Sequence, residues 1–121
     1  MRTLEASVRE RDGVGVIDLS GDVNGSAAEA LEAAYDEAIA SGPRRVLLNF
    51  ADVDYINSTG IALIVGVLAR ARTEGRAVQA CGLTDHYKEI FEITRLADFM
   101  QMFDEEDAAV ASVGAGRARK R

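Results

Sequence analysis

The stretch Asp52-Val53-Asp54-Tyr55-Ile56-Asn57-Ser58-Thr59-Gly60-Ile61-Ala62-Leu63-Ile64 decides the fold, because a strand ends in it and a helix begins. Just upstream, Val46-Leu47-Leu48-Asn49-Phe50 is a short apolar run with apolar residues on both faces, the pattern of a buried central strand. Downstream, Ile61, Ile64, Val65 and Leu68 recur at helical intervals and form the expected core stripe of an apolar helix from about residue 59 to 74. Between the two, the side-chain oxygens of Asn57, Ser58 and Thr59 can accept from the free N–H groups at the helix start.

Toward the N-terminus, residues 4–9 and 14–20 read as two strands. Val14, Val16 and Asp18 alternate with Gly15, Ile17 and Leu19, so the second is apolar on both faces over most of its length. Arg11-Asp12-Gly13 supplies the turn of a hairpin. Ser26 and Glu29 have capping-box spacing, and Leu31, Ala34, Tyr35, Ala38 and Ile39 then recur as a helix that Ser41-Gly42-Pro43 ends. Toward the C-terminus, Arg76 to Gly82 reads as a strand. Thr84 is placed to cap a third helix with Tyr87, Ile90, Phe91 and Thr94 on one side. Phe99 to Phe103 reads as a short strand, and Asp104 opens a last acidic helix through about residue 112. The order β-β-α-β-α-β-α-β-α predicts an α/β fold with a mixed sheet and covered faces.

A chain of 121 residues fits one domain, placed at residues 1–113, with enough length to bury a core. The net charge is −6, and residues 114–121 hold four basic groups and no acid, so the rest carries −10. Such an acidic body argues against a nucleic-acid surface, which needs clustered Lys and Arg. The basic segment 114–121 reads as a solvated, disordered tail. Cys81 is the sole cysteine, so no intramolecular disulfide is expected, in keeping with a cytoplasmic location. No secretory signal is visible. The most apolar stretch, Ile61 to Ala69, is too short for membrane insertion.

Catalytic apparatus is thin. His86 is the only histidine and lies apart from Cys81 in sequence. No metal-ligand spacing and no glycine-rich phosphate loop is present, so neither a metal nor a cofactor is expected. Asp52 with Asp54, and the run Asp104-Glu105-Glu106-Asp107, are the remaining acidic candidates; the run also suits a helix N-terminus. An enzyme using Cys81, His86 or an acidic pair is therefore the weakest reading.

The segment Asn57-Ser58-Thr59-Gly60 has two readings. One is a helix cap. The other uses the same geometry: a hydroxyl at a helix N-terminus is exposed near the positive pole, where a phosphate would be tolerated by the helix and would change the adjoining surface. Leu63 and Val67, one turn apart, project away from the core stripe alongside Thr59 and Arg70, with Ala62, Gly66 and Ala69 as a flank of little bulk. They form a candidate docking surface, or they are covered by the third helix or a second copy.

With these residues in place, the sequence resembles the STAS domain family and, within it, the anti-sigma factor antagonists, over about residues 4–112. The landmarks are Leu19-Ser20-Gly21-Asp22-Val23-Asn24, Arg45-Val46-Leu47-Leu48-Asn49-Phe50, Tyr55-Ile56-Asn57-Ser58-Thr59-Gly60-Ile61 and Ile93-Thr94-Arg95-Leu96. The resemblance implies a central mixed β-sheet with about four helices packed largely on one side. It implies a non-enzymatic protein that binds an anti-sigma factor, often a serine kinase with a GHKL-type ATP site, and so frees a sigma factor. The kinase phosphorylates a serine and a phosphatase restores it. The matching residue is Ser58, with Thr59 as second choice; Asp22, Asn24, Asn57, Ser58, Thr59, Gly60, Leu63 and Val67 make up the expected partner-binding set. Two departures stand out: Asn57 where the family has an Asp before the serine, and Asn24 where it has an acidic residue in the loop before the first helix. They motivate an alternative, an unphosphorylated scaffold or adaptor in a stressosome-like or transporter-associated complex. A homodimer is compatible with either.

Overall fold

Asp12 and Gly13 both adopt positive φ, 51° and 83°, as a two-residue hairpin turn requires. The turn joins β1 (Glu5–Arg11) to β2 (Val14–Val23), which pair antiparallel. The computed structural model describes residues 2–112. From β2 the chain passes through a 3-10 turn (Gly25–Ala27) into α1 (Ala28–Ala38), β3 (Arg45–Ile56), α2 (Ser58–Thr73), β4 (Ala77–Cys81) and α3 (Asp85–Ile93). A second 3-10 turn (Leu96–Asp98), β5 (Gln101–Phe103) and α4 (Glu106–Ala111) complete it. The basic segment 114–121 lies outside the described residues.

The sheet order is β1-β2-β3-β4-β5, with β2 to β5 parallel. Each parallel crossover thus steps to the next strand in the same direction, and the common handedness of such crossovers places their helices on one face. That face holds the main core: Ile17, Leu19, Val46, Leu48, Phe50, Val78 and Ala80 of the sheet meet Leu31 and Tyr35 of α1, Ile64 and Leu68 of α2, and Phe91 of α3. Phe50 and Phe91 meet edge to face at 5.9 Å.

The other face has a smaller cluster, in which Val14, Val16, Leu47 and Cys81 meet Ala109 and Val110 of α4. A six-residue helix buries too little to hold itself there, and polar contacts fix it. At its start Glu106 accepts from Arg9 and Arg11. At its end Arg45 donates to the carbonyls of Ala109 and Val110, and the buried Gln79 amide donates to Ala109 O and Ser112 Oγ. Three helices on one face and one on the other fits the mixed sheet with about four helices, largely on one side, that the family resemblance implied.

The structure also corrects several expectations. β2 runs to Val23 and β3 to Ile56, past the expected ends, because the two strands keep pairing across irregularities at Asp18/Ser20 and Gly21/Asp22. Ser26 and Glu29 form no capping box. Asn24 caps the 3-10 turn, accepting from the Ser26 amide at 3.0 Å and its hydroxyl at 2.7 Å, while α1 itself has no side-chain cap. Thr84 does cap α3, accepting from the Tyr87 amide. Thr94 is exposed rather than packed, its hydroxyl bonded to the Ile90 carbonyl. The last helix starts at Glu106, not Asp104.

Candidate functional site

Two loops meet at the C-terminal ends of β2 and β3. The first carries Asp22, Val23, Asn24 and Gly25; the second is Asn57-Ser58-Thr59-Gly60. Asn57 Oδ1 accepts from the Gly60 amide at 2.8 Å, the cap that starts α2, and the Asn57 amide donates to the Val23 carbonyl at 3.2 Å. Gly60 lies so close to that carbonyl that a Cβ on it would stand 2.0 Å from Val23 O. Gly25 faces the Thr59 methyl, its own Cβ position 3.4 Å away. Thus Asn24 and Asn57 both serve as caps, a task their amide oxygens perform as well as a carboxylate would.

Asp22 is buried beside this junction. Its carboxylate accepts from the Arg2 amide, and its own amide donates to the Arg2 carbonyl. The Arg2 side chain binds Asp54 at 2.8 Å, the Ser20 hydroxyl and the Asp52 carbonyl, so the N-terminal segment neutralises one acid of the Asp52/Asp54 pair. From the other side, the Tyr87 hydroxyl accepts from the Ile56 amide at 3.0 Å and ties α3 to the end of β3.

Ser58 is the first residue of α2. It and Thr59 are exposed, and neither hydroxyl has a hydrogen-bond partner among the described residues. The first turn of α2 contains no acidic residue, so the positive end of a sixteen-residue helix lies open under the Ser58 hydroxyl. The structure therefore brings Asp22, Asn24, Asn57, Ser58, Thr59 and Gly60 together, with Asp22, Asn24 and Gly60 as buried support and Ser58 and Thr59 as the surface.

Leu63 and Val67 do not belong to that surface. Val67 is buried and Leu63 half-buried against the core. Arg70, on the same side of α2, ion-pairs with Asp36 and lies 4.6 Å from the Tyr35 ring centre, so this side faces α1. The exposed apolar residue is instead Val65, placed in the core stripe from the sequence but 47% exposed. Helix amphipathicity could not separate the two, because α2 is apolar around most of its circumference. Arg2 gave no sequence signal, since it acts across the sheet.

The remaining chemical candidates are occupied. Cys81 is buried on the α4 side of the sheet, and burial pushes its thiol up to about 11. His86 is exposed on α3, which packs on the opposite face, its ring against Tyr87. Of the acidic run, Asp104 pairs with Lys88, Asp107 with Arg11, and Glu106 with Arg9 and Arg11. Among the described residues no group of three or more His, Cys, Asp or Glu is placed to hold a metal ion. Nor is any helix among them long and apolar enough to cross a membrane.

A sequence model of the STAS domain matches residues 5–109. The chain is 33% identical over 101 residues, 84% of its length and 87% of the relative's, to BtrV of Bordetella bronchiseptica, named as a candidate anti-sigma factor antagonist. Its structure is similar to that of an anti-sigma factor antagonist from Mycobacterium paratuberculosis, with a TM-score of 0.79 and 21% identity over 92% of this chain and 94% of that one. It is also similar to the Bacillus cell fate determinant SpoIIAA in its phosphorylated form, with a TM-score of 0.64 and 21% identity over 86% and 96%. At these identities the two solved structures indicate a shared fold.

Proposed function

The chain belongs to the STAS domain family, where its relatives are anti-sigma factor antagonists, and on that premise we propose that it binds an anti-sigma factor with serine-kinase activity and is released by phosphorylation at Ser58. The observation that carries this reading is the Ser58 hydroxyl, exposed and unpartnered at the first position of α2, above a junction held by the Asn57 cap on the Gly60 amide. A phosphate there adds roughly −1.5 to −2 charges close to a helix N-terminus, which favours it. The Asn57 cap and the Val23–Gly60 contact need not move. The fold is kept while the surface gains charge and bulk, and a partner seated on that surface is expelled. A GHKL-type ATPase fits as the kinase, and a phosphatase resets the switch. Such an exchange takes place in the cytoplasm.

Asn24 and Asn57 favour a second reading. The carboxylate these loops carry, Asp22, is buried and held by the Arg2 amide, so neither loop offers the kinase an exposed carboxylate beside the acceptor, and an antagonist or scaffold that is never phosphorylated fits. The two readings separate on one experiment. The protein is incubated with the anti-sigma factor kinase of the same genome and ATP, and peptides are analysed by mass spectrometry. Phosphate on Ser58, absent in Ser58→Ala, and a loss of binding of about tenfold or more in Ser58→Asp, equivalent to about 1.4 kcal/mol, are expected of the switch. An unmodified Ser58, with a kinase active on another antagonist, sinks it in favour of the scaffold.

A further inference from the structure

Ser58, Val65 and Arg72 are spaced seven residues apart, so they line one stripe of α2 about 21 Å long, with Ala62 and Ala69 between them. All five are exposed. At the far end the Arg72 guanidinium lies 5.8 Å from the ring centre of Phe99. Phe99 is 56% exposed and Ile93 70%, the highest values for large hydrophobic residues among those described. Between them Arg95 takes a left-handed turn, φ 70°, which costs a residue with a Cβ about 1 kcal/mol or more. That turn sends Leu96 and Met100 into the core and leaves Ile93 and Phe99 outside. In a chain of net charge −6, Arg72 has no carboxylate within ion-pair reach among the described residues.

We propose that Arg72 and Phe99 are a second anchor for the partner that Ser58 controls, taking an acidic segment with an apolar side chain beside its carboxylate. The proposal rests on the reading of the chain as an anti-sigma factor antagonist. Its occupant follows from charge complementarity and from continuity: among the described residues no carboxylate pairs with the cation, and the stripe joins it to Ser58 without a charged side chain between. The ring contact holds the guanidinium in place, so its free N–H groups can meet a carboxylate while the other face of Phe99 packs against the apolar side chain. The two ends are further apart than two Debye lengths of about 8 Å, so salt screens a phosphate on Ser58 from the charge of Arg72. The two ends therefore contribute additively.

The test is calorimetric titration of the purified anti-sigma factor kinase of the same genome with wild type, Ser58→Asp, Arg72→Glu, Phe99→Ala and Ser58→Asp combined with Phe99→Ala. Arg72→Glu and Phe99→Ala are each expected to weaken binding about tenfold with the melting temperature lowered by no more than about 5 °C, since both side chains are on the surface and the last turn of α2 disfavours an acid only modestly. The combined variant should multiply the two single losses. If both far-end variants bind within about twofold of wild type while Ser58→Asp loses affinity, the second anchor is wrong and the proposed function stands. If wild type itself does not bind, the functional reading fails and the anchor falls with it.

Discussion

The Val23 carbonyl oxygen lies 2.0 Å from the point a Cβ on Gly60 would occupy, so the start of α2 rests directly on the end of β2. The same carbonyl accepts from the Asn57 amide. Two strand ends and one helix start are thereby locked into the surface that carries Ser58.

Gly60→Ala tests that contact. Gly60 does not adopt positive φ, so the cost is steric and not conformational. The clash is with backbone, which cannot swing aside, and a loss of about 3 kcal/mol or more is expected in urea unfolding. Stability within about 0.5 kcal/mol of wild type would mean the two loops separate freely.

Asn57 supplies the cap of α2 through one oxygen. Asn57→Ala should lower stability by about 1 kcal/mol, and Asn57→Asp should leave it within a few tenths, since a carboxylate caps as well and suits the helix dipole. Equal loss in both variants would show that the amide, not the cap, matters.

Val65 and Val67 test which side of α2 faces inward. Val67→Ala, in the core, should cost about 2 kcal/mol, whereas Val65→Ala should stay within about 0.5 kcal/mol. The reverse ranking would turn α2 around on the sheet.

The Glu106 carboxyl is held down at about 2, against an ordinary 4.5, chiefly by Arg9 and then by Arg11. Arg9 also lowers Asp18. A carboxyl depressed in the folded state stabilises it fully above its ordinary value and loses that contribution as pH falls toward 2. Docking of α4 should therefore weaken below about pH 4.5. The sensor is Cys81, buried beneath α4, where burial pushes its thiol up to about 11 and so disfavours the reactive thiolate. Glu106→Gln, costing about 1 kcal/mol, should raise the Cys81 labelling rate about fivefold at pH 8 without denaturant. No change would show that the thiol is reached only on global unfolding.

The sequence by itself determined the element order, the central strand through Phe50, a cap within Asn57-Ser58-Thr59 and the cap at Thr84; the structure assigns the first to Asn57. These depend on short-range chemistry: period, turn residues and side-chain oxygens one helical turn from the amides they satisfy. Ser58 was singled out by the resemblance to the STAS domain family, while the local pattern offered only a hydroxyl at a helix start. Only the tertiary structure decided which side of α2 is buried, since an almost uniformly apolar helix takes its orientation from its neighbours, here α1 through Arg70 and Asp36. Only it decided that Asn24 and not Ser26 makes the cap, because β2 continues to Val23 as long as β3 pairs with it. The seat of α4 on Arg9, Arg45 and Gln79, and the contact of Val23 with Gly60, join residues tens of positions apart. No local pattern encodes them, and they form only once the strands that carry them lie side by side.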